Sequence, residues 1–184
     1  MKIKSSAHQS KNRRRLTMLE KGSYVIYGSN GVCRVTDIRS ETMYKKARTY
    51  YVLESVNDPG ARVYVPVDNE ALLARMRKIP DREEILIMLD ALKDEMFCWE
   101  PDNRLRAEQF GAILDRCDQR ELLVLICTIR EKRRRLAAEK KKLGSSDDNA
   151  LKRAEKIING EFGFALSIPP EEVPAFIAER LSRK

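Results

Sequence analysis

The chain has 184 residues, 42% hydrophobic and 35% charged, the balance of a globular protein with a highly charged surface rather than a disordered one. No apolar run approaches the ~20 residues needed to span a bilayer, and the basic N-terminus lacks the apolar core of a secretory signal. A cytoplasmic protein with no membrane partner is expected. The net charge of +8 is unevenly placed: residues 1–17 hold six Lys or Arg and no acid, and residues 130–142 hold eight against Glu131 and Glu139. Two cationic patches on a mildly acidic body suit a polyanionic partner.

In chain order, residues 1–17 read as a basic flexible tail without apolar periodicity. Residues 18–74 read as all-β. Tyr24 to Tyr27 forms a strand, Gly28-Ser29-Asn30-Gly31 a turn, and Val32 to Ile38 a second strand. Tyr50 to Val56 follows, then the turn Asn57-Asp58-Pro59-Gly60, then Arg62 to Val67. Short strands punctuated by turn residues indicate a small Tudor- or SH3-like barrel. Residues 78–184 read as an all-α domain of about five helices, so the fold class is α+β with two domains. Asp81 and Glu84 resemble a capping pair, and Ile85, Met88, Leu89, Leu92 and Met96 recur at helical spacing. Pro101 fits the first turn of a second helix reaching about Asp115. A third helix is expected from about Gln119 to Leu143, stopping at Gly144. Ser145-Ser146-Asp147-Asp148 can cap a fourth, with Leu151, Ala154, Ile158, Ala165 and Leu166 on its apolar face. Pro169 and Pro170 open a fifth, carrying Val173, Phe176, Ile177 and Leu181.

At 100° per residue, Leu122, Leu125, Ile126, Ile129, Leu136 and Leu143 share one face of the third helix. Arg130, Arg134 and Lys141 lie nearly opposite. The pattern predicts a helix anchored on one side and cationic on the other. Such a row can meet phosphates, giving affinity without reading bases.

No catalytic chemistry is legible. Gly22 to Gly31 lacks the phosphate-binding loop pattern, and no serine or cysteine sits in a nucleophile motif. Cys33, Cys98, Cys117 and Cys127 include no C-x-x-C pair, and His8 is the sole histidine. No metal site or cofactor is expected, and the thiols read as buried and reduced.

The run from Leu19 through Gly22-Ser23-Tyr24-Val25-Ile26-Tyr27, Gly31-Val32-Cys33-Arg34-Val35 and Tyr64-Val65-Pro66-Val67-Asp68-Asn69 resembles the CarD/CdnL family. The same barrel is the polymerase-binding module of transcription-repair coupling factor. Trp99, Asp102-Asn103-Arg104-Leu105-Arg106, Phe110, Ile113 and Leu114 look like the opening of the family's DNA-binding domain. Glu121-Leu122-Leu123, Ala154-Glu155-Lys156-Ile157 and Pro170-Glu171-Glu172-Val173 extend the resemblance over roughly residues 18–180.

The resemblance implies a non-catalytic transcription regulator, monomeric when free and nucleoid-associated through RNA polymerase. Its barrel would add an edge strand to the polymerase β subunit, with Glu41, Arg62 and Tyr64 as contact residues. Glu41 and Tyr64 stand where some relatives carry arginine. Its helical domain would lie on double-stranded promoter DNA upstream of the melted bubble, with Trp99 wedged at the bubble edge. An indole suits that task, being large, flat and amphipathic. Arg104 and Arg106 join Arg130, Arg134 and Lys141 as candidate phosphate contacts. Glu100, Pro101 and Asp102 follow Trp99 where some relatives place basic residues, which shifts weight onto those arginines and the long helix. Two other classes fit parts of the pattern. An RNA- or ribosome-binding barrel would stack bases on Tyr24, Tyr27, Tyr50, Tyr51 or Tyr64. A protein–protein adaptor would use its basic helix for solubility alone.

Overall fold

A computed structural model describes residues 19–43, 46–92 and 95–182; the expected basic tail over 1–17 lies outside the described residues. The first half is a five-stranded antiparallel sheet in the order β4-β3-β2-β1-β5. Its strands are β1 (Tyr24–Tyr27), β2 (Val32–Met43), β3 (Lys46–Ser55), β4 (Arg62–Pro66) and β5 (Met76–Arg77). A short helix, α1 (Glu70–Leu73), lies between β4 and β5, its N-cap Asn69 side chain accepting from the Leu72 N–H. The turn between β1 and β2 needs Gly28 (φ +48°), where a Cβ would stand 3.2 Å from the Arg75 guanidinium. Val25, Tyr27, Cys33, Val35, Tyr51, Leu53, Val65 and Met76 form this half's core.

A one-residue bulge decides which side chains of β2 face outward. Register shifts between Val35 and Asp37, leaving Thr36 unpaired. The side-chain period of a strand is two, so one extra residue exchanges its faces. Val35 points into the core before the bulge, while after it Asp37, Arg39 and Glu41 share the side opposite Ile38. They join Tyr50 on β3 and Tyr64 on β4.

The second half is helical: α2 (Arg82–Ala91), α3 (Asn103–Arg116), α4 (Gln119–Ala138), α5 (Ser145–Leu166) and α6 (Val173–Ser182). The Asp81–Glu84 capping box is present in both directions. The remaining ends differ from expectation. Helix α2 stops at Ala91, so Met96 lies beyond it, 53% exposed rather than on an apolar face. Asp102, not Pro101, sets the start of α3, its carboxylate accepting from the Arg104 and Leu105 N–H groups. Helix α4 ends at Ala138, five residues before the expected Leu143. Lys140 takes a left-handed conformation (φ 57°), its N–H donating to Ala137 O while the Lys141 N–H reaches Leu136 O. That is the paired closure of a Schellman motif, built here without glycine. Gly144 stands at the N-cap of α5 with no side-chain cap. Gly163 permits the tight α5–α6 reversal, since a Cβ there would meet Ile168 O at 3.0 Å.

Residues Leu122 to Ile126, Thr128 and Ile129 of α4 are all buried. The stretch from Leu122 to Ile129 is therefore largely enclosed, chiefly by α5 and α3, while Arg120 at the start and the last turns face solvent. Phe162, Ile158, Leu151 and Ile85 complete the helical core. Among the described residues, no helix is long and apolar enough to cross a membrane.

The two halves meet at Glu161, whose side chain is 1% exposed. Arg77 of β5 donates to both its oxygens at 2.9 and 3.4 Å, and Gln119 Nε2 to Oε2 at 2.6 Å. Tyr24 of β1 packs at a tilt against Phe164, ring centroids 5.0 Å apart. Burial pushes the Glu161 carboxyl above the usual carboxylate range, and the attraction of Arg77 only partly offsets it. An acid with a raised native pKa binds more protons folded than unfolded. Its contribution to stability is greatest below its unfolded value and falls as pH rises through the raised one. Glu161→Gln removes that fall. The variant's urea midpoint relative to the parent should climb as pH rises from about 4.5 toward neutrality. A constant difference across that range would refute the assignment.

Candidate functional site

Two surfaces carry the residues expected to act. The first is the open edge of the sheet. Among the described residues strand β4 pairs only with β3, in a register running from Tyr50↔Pro66 to Glu54↔Arg62. The Val67 N–H donates to Thr49 O (3.0 Å) and the Ser55 N–H to Ala61 O (3.4 Å). Antiparallel ladders alternate, so Arg62 and Tyr64 direct their N–H and C=O groups away from β3. Neither pair of groups has a partner among the described residues. The edge closes at Pro66, which lacks an N–H and whose carbonyl accepts from the Asn69 N–H (3.2 Å).

Side chains beside this edge form one cluster. Arg39 Nη2 donates to the Tyr64 hydroxyl (2.8 Å), its guanidinium lies 5.5 Å from that ring's centroid, and its Nε stands 2.6 Å from Glu41. Tyr64 also meets Tyr50 edge-on at 6.3 Å. Glu41 and Tyr64, picked out separately in sequence, are thus brought together by Arg39. Sequence reasoning missed Arg39; its signal was the two-residue spacing to Glu41 beyond the bulge. Arg62 is exposed at the start of β4 and carries no ion pair among the described residues. Of the tyrosines considered for base stacking, Tyr27, Tyr50 and Tyr51 are buried, Tyr64 is engaged by Arg39 and Tyr50, and Tyr24 is exposed but lies against Phe164.

The second surface surrounds Trp99, in the non-helical segment between α2 and α3. The indole is half-buried, edge-on to Phe110 at 6.0 Å, with the Arg106 guanidinium 4.5 Å and the Lys132 ammonium 5.2 Å from its centroid. The Phe97 N–H donates to Thr128 Oγ1 (2.9 Å), tying the segment to α4. Thr128 carried no sequence signal, because its role depends on a segment 31 positions away.

The candidate phosphate contacts divide sharply. Arg106 is buried, not surface-exposed. Its Nε and Nη2 grip Asp147 at 2.9 Å each, Nη2 also donates to Asn103 Oδ1 (2.7 Å), and Nη1 donates to Glu100 O (2.7 Å). With its donors occupied inside the protein, Arg106 offers nothing to a phosphate. Arg104 is well exposed and loosely paired with Glu108 at 3.4 Å. Arg130 faces α5 rather than open solvent, held by Glu155 at 2.7 Å. Arg134 and Arg135 share Glu131, whose carboxyl they hold at about 2. Lys141 has left the helix and pairs with Glu139 at 2.8 Å. Arg133, Lys140 and Lys142 are exposed, and none has an ion-pair partner among the described residues. Within residues 130–142 these three are the exposed cations that no neighbouring acid neutralises among the described residues.

The thiols are not uniformly buried. Cys33 and Cys117 are, Cys127 is half-buried, and Cys98 beside Trp99 is exposed. Burial pushes Cys33 up to about 11. Among the described residues, no group of three or more His, Cys, Asp or Glu is arranged to hold a metal ion.

Residues 19–80 match the family model of the CarD-like/TRCF RID domain. The match covers the whole sheet, including the β4 edge, and stops just before α2. No curated protein sequence matches the chain.

Proposed function

We propose that this chain, whose residues 19–80 are a CarD-like/TRCF RID domain, is a transcription regulator that docks on the RNA polymerase β subunit through β4. Its helical half then grips promoter duplex upstream of the bubble, and open-complex stability is the quantity it changes. The CarD-like family is one of RNA polymerase-interacting, non-catalytic regulators. The observation that carries the docking half is the pair of unpartnered backbone edges at Arg62 and Tyr64. Strand addition uses such groups for affinity and flanking side chains for specificity. Arg39, Glu41, Arg62 and Tyr64 supply those side chains.

The duplex-binding half rests on Trp99 and the cations around it. Arg104, Arg133, Lys140 and Lys142 carry the phosphate contacts. Arg134 and Lys141 add charge already shared with Glu131 and Glu139, and Arg130 and Arg106 contribute through structure. Stabilising an open bubble speeds promoters limited by bubble collapse and slows those limited by escape.

The deciding experiment is co-purification of the full chain with the isolated polymerase β-subunit lobe at low salt. Retention is expected, and its absence would end the docking model. A companion measurement is duplex affinity of Arg133→Glu/Lys140→Glu/Lys142→Glu. Weakening should be uniform across sequences, with the log–log salt slope falling by about one for each phosphate no longer neutralised. Loss confined to one sequence would contradict phosphate gripping.

A further inference from the structure

We propose that Arg106, locked by Asp147, is a positioning residue that presents Trp99; the proposal rests on the reading that Trp99 meets DNA. A buried guanidinium–carboxylate pair is a weak source of stability, because desolvation consumes most of the attraction. What this pair supplies that apolar residues could not is a rigid plane with donors on its rim. The plane lies 4.5 Å from the centroid of the indole. The rim reaches the carbonyls of Glu100 (2.7 Å) and Pro101 (3.4 Å), the two residues directly after Trp99.

The segment is therefore pinned on both sides of its tryptophan. Before it, the Phe97 N–H is held by Thr128 of α4. After it, the Glu100 carbonyl is held by Arg106 of α3, and Arg106 by Asp147 in the first turn of α5. Three helices converge on one side chain. A wedge that already holds its working conformation loses less entropy when it enters a base step. Lys132 differs in kind: its ammonium sits on a flexible stem near the ring and forms no hydrogen bond among the described residues.

Trp99 is the sole tryptophan, so its emission and acrylamide quenching in the full chain report this arrangement directly. Asp147→Asn keeps the shape and one acceptor; Arg106→Lys keeps the charge and loses the plane. Both should raise the quenching constant about twofold or more, while Lys132→Ala changes it less. With polymerase and promoter, both should shorten open-complex lifetime about two- to tenfold, the factor for re-ordering one side chain, yet leave linear-duplex affinity within about twofold. Asn103→Ala, which removes a single acceptor from Nη2, serves if either variant does not fold, with the same direction expected. Unchanged quenching in folded variants overturns the proposal. So does a lifetime that falls with Trp99→Ala but not with Asp147→Asn. If quenching rises as expected while Trp99→Ala leaves lifetime unchanged, the pinning stands and the DNA reading fails.

Discussion

Tyr64→Pro should lower binding to the polymerase β-subunit lobe at least about tenfold while leaving the sheet folded. Residue 64 turns its N–H away from β3, so the substitution removes no ladder bond within the protein. An added strand would lose one donor and leave a buried acceptor unpaired. Such an acceptor costs about 1–3 kcal/mol, or roughly 5- to 150-fold in affinity, before any clash with the proline ring. Tyr64→Ala separates backbone from side chain. It keeps the N–H and gives up only the ring and the Arg39 hydrogen bond, so its loss should be smaller. Val65→Pro is the opposite control: its N–H lies in the ladder to β3 and its side chain in the core, so the sheet itself should weaken. Titration of the lobe, with circular dichroism to confirm folding, distinguishes the three. Equal affinity for Tyr64→Pro and Tyr64→Ala would mean that side chains, not a strand edge, make the contact.

What was legible in the sequence was local. Strand β1 and its glycine turn, the β4 run, and the Asp81–Glu84 box follow from patterns a few residues long. The bulge at Thr36 left no such mark, since alternation continues on either side of it, and β5 is too short to show a period. The end of α4 was misplaced because the left-handed residue that closes it is Lys140, not the glycine that usually signals a stop. Site residues were harder still. The family resemblance points to Arg106, and charge and spacing to Arg130 and Arg134, but whether an arginine faces water depends on acids that folding delivers. Asp147 lies 41 positions from Arg106, and Glu155 lies 25 from Arg130. The angular count on α4 assumes one buried face, whereas the stretch from Leu122 to Ile129 is buried nearly all round. Arg133, Lys140 and Lys142 emerged only once the acids had been assigned to their neighbours.

The same long-range pairing governs the largest stability change expected in the helical half. The Arg106 and Asp147 side chains are 7% and 5% exposed. Asp147→Ala strands a buried guanidinium against an indole and two carbonyls, and breaking such a pair typically costs about 3–5 kcal/mol. Replacing both members, as in Arg106→Met/Asp147→Leu, removes the charge along with its partner. Much of the loss should then return, because no uncompensated ion remains. Arg104→Ala, two residues earlier on the same helix, cuts only an exposed i,i+4 pair and should cost no more than about 0.5 kcal/mol. Urea denaturation of the three variants at one pH orders them directly. If the double variant proved as unstable as Asp147→Ala, the cost would lie in lost hydrogen bonds to the Trp99 segment rather than in stranded charge. The pair would then be holding the loop against α3 more than α3 against α5.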